Sequence, residues 1–408
     1  MPSVLPEGDP APADGSLPDP ALADLGERPF GFYVHVPFCT VRCGYCDFNT
    51  YTADELGSGP GASRASYAEA AVAEIRQARR VLGDRDVPVQ TVFFGGGTPT
   101  LLPPEDLTRI VATIDHEFGL VAGAEVTTES NPDSVDASSL ARLREGGVER
   151  VSFGMQSAAR HVLQVLDRTH DPDRIPRVVE WARRAGFEQV SLDLIYGTPG
   201  ESLDDWSASV EAALACEPDH LSAYSLIVED GTALARRIRR GEVPMTDDDD
   251  LADKYLAVEQ RLEGAGLRWY EVSNWARDDA ARCRHNLLYW TGGDWWGVGP
   301  GAHSHVGGVR WWNVKHPTAY AARIGAGVSP AHGREVLDDE TRRVERVLLE
   351  TRLRQGLPVE ALDEAGRSVL PEQVARGLVD EADLAQGRVV LTTQGRLLAD
   401  AVVRDLLT

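Results

Sequence analysis

The sequence has little positive charge. Its 408 residues carry 64 acidic and 41 basic side chains, and only Lys254 and Lys315 are lysines. A formal net charge of -23 would repel a phosphate backbone, so we expect no nucleic-acid partner. The chain also lacks an apolar run long enough to span a bilayer. Residues 1–25 have neither the basic start nor the apolar core of a secretory signal, which predicts a cytoplasmic protein.

Cysteine is also scarce, with five in the whole chain, and we expect these thiols to be reduced in the cytoplasm. Three of them, Cys39, Cys43 and Cys46, have the spacing Cys-x-x-x-Cys-x-x-Cys on one short segment. Three thiolates on one loop can converge on a metal centre. Iron–sulfur clusters usually take four cysteine ligands, and no fourth cysteine is near in the sequence. The spacing therefore predicts a cluster with one iron open to a substrate or cofactor.

Two other interpretations of these cysteines remain open at this stage. A zinc ion would need a fourth ligand, and His35 is the nearest candidate. The three cysteines could also be structural residues without a metal.

Short apolar strands alternate with amphipathic helical stretches through the first half of the chain. Six such strand–helix units in series favour a parallel sheet, and near-continuous apolar strands are typical of a sheet that is covered on both faces. The predicted fold class is α/β, a partial (βα)6 TIM-like barrel with a mostly helical, winged-helix-like C-terminal domain. The predicted strands are Gly31–Val36, Thr91–Phe94, Glu125–Glu129, Arg150–Gly154, Gln189–Ile195 and His220–Leu226.

Four parts follow from this pattern. Residues 1–28 are rich in Pro, Ala, Asp and Gly without periodicity, which predicts a disordered tail. Residues 29–265 form the partial barrel, residues 266–335 are a linking region, and residues 336–408 are the C-terminal domain. In that last part we expect a strand at Val389–Thr392 and a helix over Gln394–Leu407.

Polar or glycine-rich residues follow several of the predicted strands. FGGGTPT places Gly96, Gly97 and Thr98 after the second strand, and its glycines allow a close approach of the backbone to a ligand. Each of the next three strands has a polar residue at or just past its end; these are Glu129, Gln156 and Asp193. Because ligands bind at the C-terminal ends of strands in parallel αβ barrels, we expect these residues on one rim.

The cysteine segment resembles the signature of the radical S-adenosylmethionine superfamily. The resemblance implies that Cys39, Cys43 and Cys46 bind a [4Fe–4S] cluster, whose fourth iron is chelated by S-adenosylmethionine. It also implies an electron donor for the cluster, and reductive cleavage of the cofactor to a 5′-deoxyadenosyl radical.

Further motifs resemble the coproporphyrinogen III oxidase-like branch of that superfamily. The matching residues are Tyr33, Gly96, Gly97, Thr98, Glu129, Gln156, Arg168 and Asp193. The resemblance implies that they contact S-adenosylmethionine. In coproporphyrinogen dehydrogenases the counterparts of Gln156, Arg168 and Asp193 contact a second molecule of it.

Two features separate an enzyme from a heme carrier. Dehydrogenases of this branch have a further cysteine where this chain has Phe48, and the CDFN form is similar to the HemW subgroup of heme chaperones. The segment CRHNLLYW also matches the HNxxYW motif of that subgroup. The resemblance implies heme contacts from His285, Asn286, Tyr289 and Trp290.

The residues of this segment allow more than one role. An imidazole suits iron, and Tyr289 and Trp290 suit a flat macrocycle. Cys283 is a second potential iron ligand, and His303 and His305 are further potential heme contacts. The alternative is structural, with a His–Asn pair that caps a turn and aromatic side chains in the core.

The resemblance thus implies a heme chaperone that serves heme-accepting proteins such as respiratory oxidases. Because these acceptors are membrane-bound, peripheral membrane association is compatible with this function. The alternative is an oxygen-independent coproporphyrinogen III oxidase that acts in porphyrin biosynthesis. Whether the chain is an enzyme stays open at this point.

Overall fold

A computed structural model describes residues 6–56 and 63–407. The strands are β1 (Asp9–Pro10), β2 (Phe30–Val36), β3 (Val89–Gly96), β4 (Leu120–Ser130), β5 (Arg150–Gln156), β6 (Gln189–Tyr196), β7 (His220–Ser225), β8 (Arg268–Glu271), β9 (Asn274–Ala276), β10 (Asp294–Val298), β11 (His303–Val306), β12 (Val309–Asn313), β13 (Ala331–Val336), β14 (Leu357–Pro358) and β15 (Arg388–Val389).

The helices that alternate with the parallel strands lie mostly in the first half of the chain. The helices in this half are α1 (Asp19–Ala23), α2 (Ala53–Leu56), α3 (Arg64–Leu82), α4 (Pro104–Phe118), α5 (Ala137–Glu145), α6 (Arg160–Val165), α7 (Ile175–Ala185), α8 (Leu203–Leu214) and α9 (Ala233–Arg239). Those in the second half are α10 (Asp248–Gly264), α11 (Arg284–Trp290), α12 (Pro317–Gly325), α13 (Asp339–Glu350), α14 (Glu364–Ser368), α15 (Leu370–Ala375), α16 (Glu381–Ala385), α17 (Thr393–Leu397) and α18 (Ala399–Leu406).

The six predicted strands are confirmed as β2 to β7, and each pairs in parallel with the next. Their apolar residues are buried between helices on one face and the barrel interior on the other. Phe32, Val34 and Phe153 are fully buried. The α/β class with a parallel sheet is therefore confirmed. Among the described residues the sheet stays open, with β1 at one edge and β8 at the other.

The region expected to link two domains adds strands to both edges of this sheet. At one edge β10 pairs in parallel with β2, and β11, β12 and β13 follow in antiparallel order. At the other edge β9 pairs antiparallel with β7, and β8 follows it. Residues 266–335 are thus part of the main sheet, because their short apolar strands complete edges that β2 and β7 would otherwise leave open.

The expected disorder of the N-terminal tail is corrected for residues 6–28. Strand β1 pairs antiparallel with β13, and the Ser329 amide donates to the Ala13 carbonyl at 2.7 Å. Helix α1 buries Ala21 and Leu22. The composition misses this because the pairing partner lies more than 300 residues away. Residues 1–5 lie outside the described part of the chain.

The C-terminal part is mostly helical, as predicted, and has its own small core. Val347, Leu357 and Val402 are among its fully buried side chains. The expected strand at Val389–Thr392 is shorter and appears as β15, which pairs with β14. The expected single helix over Gln394–Leu407 is divided into α17 and α18 at Leu398. None of the helices in the described ranges is long and apolar enough to cross a membrane.

Candidate cofactor cavity

A cavity of about 650 Å³ opens at the carboxyl ends of the parallel strands. It brings together most of the residues that the sequence singled out, although they come from distant segments. The cavity is lined by Cys39, Cys43, Cys46, Gly96, Gly97, Thr98, Glu129, Gln156, Arg168, Asp193, Cys283 and Asn286. Four predicted contacts, Tyr33, His285, Tyr289 and Trp290, lie outside its lining. The strand-end pattern thus predicted a shared site, and the HNxxYW segment contributes only Asn286 to it.

The loop that carries the three cysteines is tied to several parts of the fold. The Cys39 amide donates to the Tyr51 carbonyl at 3.0 Å. The Leu234 amide, at the start of α9, donates to the Gly44 carbonyl at 2.8 Å. These backbone bonds join the cysteine loop to the segment that follows it and to α9.

Asn49, three residues after the last cysteine, ties the loop to the C-terminal half of the sheet. Its amide nitrogen donates to the carbonyls of Pro300 and Lys315 at 3.0 and 2.9 Å. Gly301 allows this approach, because a Cβ there would lie 2.5 Å from the Asn49 amide nitrogen. Sequence reasoning missed Asn49. The glycine-dense segment 293–305 was the available signal, since closely spaced glycines often mark a close backbone approach.

The glycine loop after β3 packs directly on the cysteine loop. The Gly97 amide donates to Val36 and the Thr98 amide to Phe38, both at 2.8 Å. A Cβ on Gly97 would lie 2.5 Å from the Phe38 carbonyl oxygen and 3.0 Å from Cys39 Sγ. Only glycine leaves backbone and sulfur this close together. Three sulfurs on one cavity wall, with a glycine backbone beside them, form a donor set that fits an iron–sulfur cluster.

Burial makes the thiols of Cys39 and Cys46 hard to ionise when no metal is bound. It raises the pKa of Cys39 to about 11, and the nearby thiols Cys46 and Cys43 add to the effect. Burial also raises the pKa of Cys46. Thiolates at these positions therefore need a cation beside them, which is the situation of cysteines that ligate metals.

His35 does not offer a ring nitrogen to a metal. Its Nε2 lies 2.9 Å from the Asn49 carbonyl oxygen, to which it donates, and its Nδ1 accepts from the Tyr33 hydroxyl at 3.0 Å. Burial lowers the pKa of His35 to about 4, so the ring is neutral. Among the described residues, no group of three or more His, Cys, Asp or Glu side chains is arranged to hold a single metal ion. The zinc interpretation thus lacks the fourth ligand it named.

Arg168 connects the cysteine loop with the end of β5. One guanidinium nitrogen donates to the Gly154 carbonyl at 2.8 Å, and another lies 3.8 Å from Cys43 Sγ. Its Nε is buried without a hydrogen-bond partner among the described residues. Tyr45, the aromatic residue before the last cysteine, also lines the cavity. Burial raises the pKa of its hydroxyl, and the nearby Cys43 adds to this effect. An unsatisfied guanidinium hydrogen beside a thiol is a position where an anionic group would be stabilised.

Two carboxyl groups face the cavity from β4 and β6, the strands on either side of β5. Burial raises the pKa of Glu129 to about 8, and the charge of Asp193 adds to this. Asp193 accepts hydrogen bonds from the Ser152 hydroxyl at 2.9 Å, yet burial still raises its pKa. No cationic side chain pairs with Glu129 in the described ranges. Such a carboxyl gains most from a ligand that carries positive charge.

At the end of β5 the backbone turns sharply to present Gln156 to the cavity. Its φ of +63° lies in the left-handed region, which is unusual for a residue with a Cβ. The strand register also shifts between Gly154 and Gln156. A strained backbone that re-aims a side chain is a frequent feature of binding sites.

The HNxxYW segment forms α11, and its histidine is enclosed. Nδ1 of His285 lies 2.8 Å from the Thr91 hydroxyl, and Nε2 lies 2.7 Å from the Tyr289 hydroxyl. The ring stacks on Phe93 with centroids 5.2 Å apart. Burial lowers the pKa of His285 to about 3. In this conformation both ring nitrogens are engaged within the protein, which matches the structural alternative for this segment.

The other two polar residues of the motif meet a buried carboxyl. Asn286 and Trp290 act on the Glu271 carboxyl in the direction of a lower pKa, but burial dominates and raises the pKa of Glu271 to about 8. Asn274 donates a hydrogen bond to this carboxyl. Glu125 completes the arrangement, because it accepts from the amides of Arg284 and His285 at 2.9 and 3.0 Å. The motif therefore joins α11 to strands β3, β4 and β8.

The remaining heme candidates lie apart from the cavity or at its edge. Cys283 lines the cavity, and its sulfur lies 3.7 Å from a Glu125 oxygen. Nδ1 of His305 donates to the Gly293 carbonyl at 2.9 Å. Neither His303 nor His305 belongs to the cavity lining.

Comparison with known proteins places these features in a family. The model of the radical SAM superfamily matches residues 33–213. The chain is 51% identical to the heme chaperone HemW of Mycobacterium tuberculosis over 389 residues, which cover 95% of this chain and 97% of the relative. It is 33% identical to the heme chaperone HemW of Bacillus subtilis over 379 residues, which cover 91% of this chain and 97% of the relative.

Among solved structures, the chain resembles coproporphyrinogen III oxidase (HemN) from Escherichia coli, a radical SAM enzyme. The TM-score is 0.80, and the match covers 97% of this chain and 94% of that one. The sequence identity is 22%, so this likeness establishes the fold.

Proposed function

Because the chain belongs to the HemW family within the radical SAM superfamily, we propose that it binds heme and delivers it to acceptor proteins. The superfamily implies a [4Fe–4S] cluster and S-adenosylmethionine. The names of the relatives support heme as the cargo. The acceptors proposed are heme proteins such as respiratory oxidases, reached by peripheral association with a membrane, and a separate protein would donate electrons to the cluster.

In this proposal Cys39, Cys43 and Cys46 hold the cluster, which leaves one iron for the cofactor. When bound, the cluster supplies one electron at a time to S-adenosylmethionine. The surrounding protein sets the orientation of the cofactor and the electrostatic field around it. Gly96 and Gly97 pack against His35, Phe38 and Cys39 so closely that a side chain would not fit, and they would present glycine backbone to the cofactor.

The charged residues of the cavity divide into two groups with separate tasks. Glu129 and Asp193 face the sulfonium and ammonium charges of S-adenosylmethionine. These positive charges offset the free-energy cost of burying the two carboxylates. Arg168 faces anionic groups, since it already lies beside the Cys43 sulfur. Thr98 and Gln156 supply polar contacts to the cofactor. Tyr33 acts through its ring, which lies behind the glycine loop.

The charge of the cavity wall is the observation that favours heme transport over porphyrin oxidation. Six carboxyl groups line the cavity against two guanidinium groups; they are Asp47, Glu129, Asp133, Asp167, Asp193 and Glu229 against Arg150 and Arg168. Burial raises the pKa of Glu129 to about 8 and also raises that of Asp193, so part of this negative charge is neutralised near neutral pH. The remaining acidic excess disfavours coproporphyrinogen III, which carries four carboxylates, more than heme, which carries two. Phe48 also lines the cavity at the position where the dehydrogenases have a cysteine.

For the HNxxYW motif, heme contact by His285, Asn286, Tyr289 and Trp290 stays a prediction. The structure attaches a condition to it. His285 would first have to release Tyr289 or Thr91, since these occupy both ring nitrogens. Asn286, which faces the cavity, is the member of the motif that a ligand reaches without such a change.

Anaerobic reconstitution of the cluster, followed by three assays, tests the proposal. We expect hemin to bind with a saturable Soret change, heme to pass to a heme-free respiratory oxidase, and coproporphyrinogen III to remain unchanged. Cys216→Ser, which alters a cysteine outside the cavity, is the matched control for the reconstitution. Rapid formation of protoporphyrinogen IX would overturn the proposal in favour of the oxidase.

A further inference from the structure

Three large apolar side chains at the cavity mouth are exposed to solvent. Val41, Phe48 and Ile227 are 47%, 50% and 68% exposed, yet all three line the cavity. We call this set the apolar rim. Single exposed apolar residues are ordinary, but several that converge on one opening mark a binding site.

The rim is mounted on fixed structure. Ile227 follows Leu226, which is 4% exposed and whose amide donates to the Tyr196 carbonyl at 2.9 Å. Leu226 belongs to a small core that lies under this loop together with Leu234 and Leu166. The core holds the backbone beneath Ile227 in place, so the exposure of this side chain is a feature of the fold.

The cysteine loop is attached to the same small core. The Leu234 amide binds the Gly44 carbonyl, and the Gly44 amide donates to the Leu166 carbonyl at 3.3 Å. Val41 and Phe48 therefore stand at a defined position relative to Ile227. A preorganised apolar surface binds a flat ligand with little loss of conformational entropy.

Positive charge lies beside the Phe48 end of the rim. Arg42, with a side chain 42% exposed, lies 3.4 Å from Glu55. The Lys315 carbonyl accepts from Asn49, the residue after Phe48, and its ammonium lies near Asp47. In a chain with two lysines and a net charge of -23, a lysine and an arginine near one loop are rare, and propionates would share these cations with Glu55 and Asp47.

We propose that heme lies across the cavity mouth with one porphyrin face on the apolar rim and its propionates toward Arg42 and Lys315. The inference rests on the proposed function and gives the cargo a seat that is separate from the HNxxYW motif. A macrocycle at this place would cover the opening above the cysteines. Bound heme would therefore slow the exchange of S-adenosylmethionine, and bound cofactor would stay enclosed while heme is present.

Hemin titration of the reconstituted full chain tests this seat. The double variant Phe48→Ala/Ile227→Ala is expected to raise the dissociation constant for hemin about tenfold or more, because two apolar contacts are lost. Phe48→Leu keeps an apolar side chain and retains most of the affinity. The matched control is Met245→Ala/Val336→Ala, which removes two side chains that are 64% and 57% exposed and lie outside the cavity.

Release of prebound radiolabelled S-adenosylmethionine gives a second readout. Hemin slows this release several-fold in the wild type and in the control, and has no such effect in the rim variant. Equal hemin affinity in the wild type and the rim variant would overturn the rim assignment while leaving heme binding intact. A wild-type protein that does not bind hemin at all would overturn the proposed function itself.

Discussion

The cavity and the HNxxYW segment contain the same kinds of polar residue but differ in how far these are satisfied. In the cavity, Glu129 has no cationic partner and Arg168 Nε has no acceptor among the described residues. In the segment, His285 uses both ring nitrogens, while Glu271 accepts from Asn274 and keeps one buried oxygen without a partner among the described residues. The two regions therefore differ at the histidine, whose polar atoms are satisfied within the protein, and both keep a buried carboxyl that is not fully satisfied. Burial and motif identity alone do not distinguish the two.

The largest expected contrast concerns the cysteines of the two regions. Cys43→Ser is expected to abolish the brown chromophore and the bound iron after reconstitution, because one cluster ligand is lost. Cys283→Ser, which lies just before the HNxxYW segment and also lines the cavity, is expected to keep both. Iron content and visible absorbance measure the outcome. A Cys43→Ser protein with full iron content would remove this residue from the ligand set.

A second contrast concerns stability. His285→Ala is expected to lower the free energy of unfolding by about 3 kcal/mol, because it leaves a cavity and an unpaired Thr91 hydroxyl. His332→Ala, at an exposed position, is expected to change it by about 0.5 kcal/mol or less. Urea unfolding measures both. Unchanged stability in His285→Ala, together with lost hemin binding, would make His285 a ligand and erase the distinction between the two regions.

The third contrast uses the unpaired carboxyl of the cavity. Glu129→Gln is expected to weaken S-adenosylmethionine binding about tenfold at pH 8, since a charge that faces the cationic ligand is removed. Equilibrium binding to the reconstituted protein measures this, and Glu69→Gln, at an exposed position of α3 outside the cavity lining, controls for the loss of one negative charge. An unchanged affinity would place the cationic end of the cofactor elsewhere.

The smallest expected effect is a pH dependence of stability. Burial raises the pKa of Glu129 from 4.5 to about 8, so the folded state holds this proton more tightly than the unfolded state. The stability contributed by the protonated carboxyl is therefore present below pH 4.5 and is lost as the pH rises to about 8. In thermal unfolding of the cluster-free protein between pH 5 and 8, the melting temperature should decline less steeply with pH in Glu129→Gln than in the wild type. Equal slopes would mean that Glu129 titrates near its ordinary value.

The sequence predicted those elements of the fold that depend on a local pattern of residues. Strands β2 to β7 are short, apolar and bounded by turns, and the residues at their ends meet because parallel strands end on one side. It did not predict the partners of His285, since Thr91 lies 194 residues away. The pairing of β1 with β13 was missed for the same reason, because a two-residue strand has no periodicity to detect.

Sequence patterns also did not reveal polar residues whose role depends on being buried. Glu74, a charged residue inside α3, is fully buried and accepts from the Tyr320 hydroxyl, the Gly299 amide and the Asn313 side chain. In the sequence it is one acidic residue of an amphipathic helix. Only the strands contributed from residues 294–313 show that this position faces the interior.

The anchoring of Asn49 has a consequence for how the protein is made. Its side chain bonds to carbonyls 251 and 266 residues further along the chain. At about 5 to 20 residues per second, a ribosome would need roughly 10 to 50 s to synthesise that intervening length. During this interval the three thiols have left the ribosome while the segment that positions their loop does not yet exist. If these thiols hold the cluster, as proposed, the complete binding loop forms only after the second half of the sheet has been synthesised.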